Sequence, residues 1–231
     1  MRHHGNPTHH PLTRRLLLGA VPALALGPLL ARSLPPARAE EAVVARIQSM
    51  DGSAAVIRGE LRIDAVPGLP LTLLDVIITA GASRLELLFV DGSTVIIGPE
   101  ARLSLDAFEI DGGSGQRENG AITIMNGAVR AVVEPGLGEN FTIRGQSAVA
   151  SVRGTEYAVI EEENRTSVLV LDGEVAVLDP DAGWTVTLGS GDGVDVPHEP
   201  PPGETEEPPP VNRWGQARID QVLALTRRPV G

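Results

Sequence analysis

Carboxylates are the residues of this chain best able to do chemistry: 30 Asp and Glu stand beside 19 Arg, with no Lys, in 231 residues. Glu86 paired with Asp91 or with Glu156 would suit glycoside hydrolysis, in which one carboxyl protonates the leaving oxygen and the other acts as base or nucleophile. Nothing in the spacing selects such a pair. Asp111-Gly112-Gly113-Ser114-Gly115 and Gly189-Ser190-Gly191-Asp192-Gly193-Val194-Asp195 have the make-up of calcium turns. Calcium takes six or more oxygens, usually from stacked repeats or several acids, and each segment occurs once, so both read as plain turns. Glu161-Glu162-Glu163 reads as a solvated turn.

Other chemistries lack their residues. The chain has no Cys, and four of its five His are His3, His4, His9 and His10. Only His198 lies beyond the N-terminal region, too few for a Cys/His zinc site. A Ser-His-Asp triad would have to use that one His, beside a Pro-rich stretch. Schiff-base chemistry needs a Lys. We therefore expect no catalytic residue, no metal and no cofactor.

Charge is distributed unevenly. The first 39 residues hold Arg2, Arg14, Arg15, Arg32 and Arg38 and no acid, whereas the rest sets 14 Arg against 30 acids, a formal charge of −16. This asymmetry, with the apolar stretch Leu16 to Ala31 and the small residues Ala37 and Ala39, predicts an export signal over 1–39 cleaved before Glu40. An uncleaved N-terminal anchor is the alternative. Thr13-Arg14-Arg15-Leu16-Leu17-Leu18 is twin-arginine-like, with the Sec route as the other possibility. The apolar stretch is short for a membrane span and is broken by Pro22, Gly27 and Pro28. The expected product is a periplasmic protein not integral to the membrane. An acidic surface argues against nucleic acid as a partner.

The elements that must position any site are short strands. From Ala42 to Val196, β-branched runs alternate with Gly, Asp and Asn turns, and no helical period is sustained. The units Asp51-Gly52, Asp91-Gly92, Asn126-Gly127 and Asp172-Gly173 separate Val-rich strands and predict hairpins. Arg84 to Val90 puts Leu85, Leu87 and Phe89 on one face. The fold class is all-β: one β-roll or sandwich over 40–196 with a mainly aliphatic core. Residues 197–212, rich in Pro and Glu, predict an extended linker. Residues 213–231 hold a short helix over Arg213 to Arg228, capped by Asn212, that packs on the β-domain or on a partner.

Several segments follow one another in a telling order. They are Leu74 to Thr79 with Ser83 to Phe89; Phe89-Val90-Asp91-Gly92-Ser93-Thr94-Val95-Ile96-Ile97-Gly98-Pro99, running on to Ala101 to Leu105; Asn126 to Arg130; Ala148 to Tyr157, containing Arg153-Gly154-Thr155-Glu156; and Leu171 to Val177. Together, over roughly 43 to 190, they resemble the FecR family, the periplasmic sensing domain of bacterial anti-sigma regulators and of related standalone proteins. The resemblance implies an all-β periplasmic domain. In the regulators such a domain receives a signal from an outer-membrane siderophore receptor and passes it to a sigma factor. This sequence shows no cytoplasmic helical domain and no clear transmembrane helix, so a standalone role is expected.

Two motifs are singled out as architectural: Asp91-Gly92-Ser93, and Arg153-Gly154-Thr155-Glu156. In the second, Gly154 would allow a tight junction, Arg153 would pair with Glu156 or Glu86, and Thr155 would bond to backbone. The resemblance also implies a sharper role, since some FecR-type regulators cleave themselves at a Gly-Thr bond matching Gly154-Thr155. The expected function is non-enzymatic binding, signalling or scaffolding, engaging an envelope protein or glycan. The alternative is a carboxylate-dependent carbohydrate-active enzyme.

Overall fold

The computed structural model describes residues 42–133, 136, 140–152, 154–199 and 207–230. Within them run strands β1 (Val43–Asp51), β2 (Ala54–Arg58), β3 (Leu61–Asp64), β4 (Pro70–Thr72), β5 (Val76–Thr79), β6 (Arg84–Phe89), β7 (Thr94–Ile97), β8 (Arg102–Ile110) and β9 (Arg117–Val133). They are followed by β10 (Phe141–Arg144), β11 (Val149–Val152), β12 (Thr155–Glu161), β13 (Arg165–Asp172), β14 (Glu174–Leu178), β15 (Thr185–Gly189), β16 (Asp192–Pro197), β17 (Asn212–Arg213) and helix α1 (Gln216–Leu225). The strands form one 17-stranded hydrogen-bonded sheet. It is mixed, because β9 and β10 run parallel while the other pairs are antiparallel.

The sheet folds over on itself at β9 into two layers. The first has the order β4-β1-β6-β7-β9-β12-β13-β16-β17. The second has the order β3-β2-β5-β8-β9-β10-β11-β14-β15. Strand β9 belongs to both: its N-terminal part pairs with β8 and β10, and its C-terminal part with β7 and β12.

This corrects the hairpin reading of three Asx-Gly units. Asp91-Gly92 does close the β6–β7 hairpin, with Phe89 N–H donating to Ser93 O and Gly92 N–H to Phe89 O. Asp51-Gly52 and Asp172-Gly173 are instead corners, where the chain leaves one layer and enters the other. Asn126-Gly127 is neither turn nor break but the bend inside β9, marked by a register shift against Arg102 and Leu103. Gly127 has φ +92°, and a Cβ there would lie 2.6 Å from the Ala101 Cβ, so only glycine fits the bend. The local turn chemistry is the same at all four sites. Which strand lies across each turn depends on the second layer.

Both layers bury their inner side chains in one core. Ile47, Leu85, Leu87 and Val159 from the first layer meet Val56, Leu103, Ile122 and Val175 from the second. The core is largely aliphatic, but all three Phe gather at its centre. Phe89 stacks on Phe108 at 5.1 Å between centroids and meets Phe141 edge-on at 5.7 Å.

The C-terminal segment packs on the outer face of the first layer, where Trp214 and Val222 cover Ala158 and Leu169. The helix is shorter than expected and starts later. Asn212 and Arg213 pair with Gly193 and Asp192 as β17, and Gly215 occupies the N-cap. Strand pairing thus claims the residue read as the cap. Its start also differs from the linker reading of 197–212, because Pro197 pairs with Arg165 and the His198 N–H bonds to Asn164 O. Among the described residues no helix is long and apolar enough to cross a membrane.

Candidate functional site

Strand β9 separates the two motifs at one end of the first layer: Thr94 of β7 and Glu156 of β12 flank the same residue, Val132. Their side chains serve different sides of the sheet.

Asp91-Gly92-Ser93 points inward. An Asx-type turn forms as Ser93 N–H and Ser93 Oγ donate to the Asp91 carboxylate at 2.9 Å each. The same carboxylate meets the Arg117 guanidinium at the start of β9, with side-chain exposures of 1% and 0%. Arg117 also donates to Ser93 Oγ at 3.1 Å and lies over the Phe141 ring, 5.1 Å from its centroid. Burial pushes the nearby Tyr157 phenol far up, against the opposing charge of Arg117. A buried arginine is tolerated only when its charge is met, and Asp91 meets it. Sequence reading missed Arg117, because it follows the polar turn 111–116 and resembles a surface residue there. That turn spends Asp111 on itself, through bonds from Gly113 N–H and Ser114 Oγ that hold its carboxyl below the usual range. Among the described residues no three His, Asp or Glu are arranged to hold a metal.

The second motif lies at the junction of β11 and β12. Arg153 lies outside the described residues, as do Ala37 and Ala39 of the expected cleavage site. Gly154 has φ +145°, a conformation that L side chains rarely adopt. Thr155 is buried, and its hydroxyl donates to Glu174 O at 3.0 Å. Together with Asn140, Ser151, Val152, Glu174 and Ala176 the two line an open cleft of about 420 Å³. A carbonyl is a poor acceptor for the proton that Thr155 would have to lose to act as a nucleophile. The Gly154-Thr155 bond is therefore expected to stay intact. Intact-mass spectrometry checks this: fragments meeting at that bond, absent in Thr155→Ala, would show self-processing. Gly154→Val should still lower the melting temperature, because valine strongly disfavours this φ.

Glu156 points outward. Arg130 bonds its Oε1 at 2.6 Å and, through Nη2, donates to Thr226 O at 2.9 Å. Arg84 donates to Leu225 O at 3.0 Å and to Ala224 O at 2.9 Å. Two arginines of the sheet thereby satisfy carbonyls that the end of α1 leaves open, where positive charge is also favoured by the helix dipole. Glu86 meets Ser49 Oγ at 3.1 Å and Arg228 at 3.4 Å. Glu86, Asp91 and Glu156 thus do not converge as a catalytic pair, and each carboxylate is met by a different arginine. A fourth acid, Asp75, is fully buried and gripped by Arg58 at 2.8 and 2.6 Å.

Near its start α1 is tied by Arg218, which bonds Asp195 through both nitrogens at 2.8 and 2.5 Å and stacks over Trp214 at 3.4 Å. Burial pushes the Asp195 carboxyl up, but bonds from Arg218 and Ser167 and the charges of Arg218 and Arg165 hold it below the usual range. A depressed carboxyl contributes stability above its unfolded value, near pH ~3.9, which is lost as pH falls through the lower folded value. Acidification below about pH 4 should therefore loosen α1. In a Trp184→Phe background, the Trp214 emission should shift on acidification, and Asp195→Asn should remove that shift. An unchanged emission in the parent would refute the coupling.

Family comparison is consistent with this architecture. Residues 75–176, from just before β5 into β14, match the family model described as FecR protein. Two solved structures share the fold, both described as candidate anti-sigma factors from Parabacteroides distasonis. One, at 2.50 Å, has TM-score 0.51 and 18% identity over 65% of each chain. The other, at 1.65 Å, has TM-score 0.50 and 17% identity over 64% of each chain. The chain thus spans about 65% of the length of the first. No curated protein matches the sequence. Over 75–176, then, the chain matches the FecR family, on a sheet whose fold those structures share.

Proposed function

We propose that this chain is an exported FecR-domain protein that works in the periplasm without catalysis, by binding an envelope protein or glycan to signal or to scaffold. The observation that supports this reading is the disposition of the acids. Glu86, Asp91 and Glu156 are each spent on an arginine of the framework or the C-terminal segment, so the residues with most chemical capacity serve architecture. Export is supported by the basic leader, and N-terminal sequencing of periplasmic protein should find Glu40 first.

The binding role is tested by cross-linking the mature protein in intact cells and identifying what it is joined to. A defined envelope protein or glycan, recovered with wild type and lost on competition with unlabelled domain, is the expected result. The enzyme alternative makes a different prediction. Release of reducing sugar from envelope glycans by the purified protein, abolished by Glu86→Gln or Glu156→Gln, would overturn the non-catalytic reading.

A further inference from the structure

His198 is the one His among the described residues, and its side chain is only 7% exposed. Its Nε2 lies 2.7 Å from Oε1 of Glu161, itself 3% exposed, and its Nδ1 lies 3.1 Å from Glu163 O. Both neighbouring oxygens are acceptors. A neutral imidazole carries one N–H, so it would turn a lone pair toward one of them. The approach to Glu161 is within ion-pair reach, and neither atom has a hydrogen-bond partner. Such a contact draws its strength from opposite charge.

The other carboxylate oxygen of Glu161 accepts from Thr166 Oγ1 at 2.8 Å and from Gln146 N–H at 3.0 Å. That oxygen is thereby occupied, and Oε1 is the one that faces the ring. The charged groups that line the two cavities beside the ring are mostly acidic. Glu162 and Glu163 come from the β12–β13 turn, Asp179 and Asp181 from the β14–β15 turn, Glu199 from the adjacent backbone and Glu207 from across the cavity. Arg165 of β13 is the opposing charge, and it is engaged by Glu162 at 2.6 Å.

We propose that His198 and Glu161 form a proton-dependent latch, holding the end of β16 and the start of the Pro-rich stretch against the β12–β13 turn and opening when the imidazolium loses its proton. The backbone makes the latch mechanical: the His198 N–H bonds to Asn164 O, and Ser147 Oγ, 3.1 Å from Thr166 Oγ1, reaches Val196 O at 2.8 Å. His198 also lines a cavity of about 190 Å³ with Ser147, Trp184 and Pro209, so release of the ring would open that cavity. The inference stands on this geometry and not on the binding role proposed above.

Hydrogen exchange of the full chain, normalised to unfolded-chain rates, tests it across the range where histidine ordinarily titrates, from about pH 5 to about pH 8. Protection at residues 196–199 should fall about tenfold over that range, while β6 and β7 stay unchanged. His198→Gln and Glu161→Gln should each remove the pH response. Wild-type protection that is flat with pH, or an equal response in His198→Gln, would overturn the latch. Ring nitrogen NMR of the wild type serves if a variant does not fold. The second ring proton should leave over the same pH interval in which protection is lost, and its loss in a different interval would refute the proposal.

Discussion

Asp91→Ala is expected to destabilise the domain by about 3–5 kcal/mol, the scale for removing one partner of a buried ion pair. Arg117 would stay where it is, fully buried, with its charge no longer met by the Asp91 carboxylate. The neutral Ser93 hydroxyl and the face of Phe141 are weaker substitutes for that charge. The Asx-type turn of the β6–β7 hairpin would go with it, since Asp91 holds both the N–H and the hydroxyl of Ser93. For a domain of this size the melting temperature should drop by roughly 10 °C or more. Urea unfolding provides the measurement. A loss below about 1 kcal/mol would mean that the pair is hydrated in solution, as exposed pairs are. Asp91→Leu combined with Arg117→Met should recover more than half of the loss, because an apolar replacement removes both charges together.

Phe89→Ala is expected to cost about 3–5 kcal/mol, as large-to-small changes at buried aromatics do. Phe89 is 3% exposed and touches both other phenylalanines, Phe108 stacked and Phe141 edge-on. Each such contact adds roughly 0.5–1.5 kcal/mol beyond burial. The three rings bridge the two layers, so the cavity cannot close by a small movement of either. Phe89→Leu should lose distinctly less, because it keeps most of the volume. Phe141 also lies under Arg117, so Phe89→Ala and Asp91→Ala share a neighbour. Their double mutant should depart from additivity by about 0.5–3 kcal/mol. Strict additivity would show that the aromatic cluster and the ion pair act as separate units.

Residues with local causes were readable in the sequence. Alternation placed Leu85, Leu87 and Phe89 inward, and all three are buried. Asp-Gly chemistry placed the β6–β7 turn. The glycine between β11 and β12 reads as a tight junction, and Gly154 has φ +145° there. Two groups were misread for want of distant partners. His198 follows a strand and opens a Pro-rich run, so it looked like linker, and Glu161 heads three consecutive acids, so it looked solvated. Each is buried because the other is there, 37 residues away in the sequence. Asp195 could have been found: between Val194 and Val196 the alternation sends it outward, onto the face that α1 covers.

The order of short strands and turns, the acidic composition from Glu40 onward after a basic N-terminal stretch, and the segments that resemble FecR are properties of consecutive residues, and reading along the chain suffices for them. Which strands lie side by side is not such a property. Asp51-Gly52, Asn126-Gly127 and Asp172-Gly173 have the local make-up of hairpins, and a turn is compatible with either a partner strand or a change of layer. The choice is made by burial: β9 must bend at Gly127 to keep both of its halves over one core, and the corners follow from that. The same holds for charge. Arg117, Arg130 and Arg218 are ordinary arginines in the sequence. Only the folded chain brings each within bonding distance of Asp91, Glu156 or Asp195, and at Arg117–Asp91 the near-complete burial gives the pairing its strength.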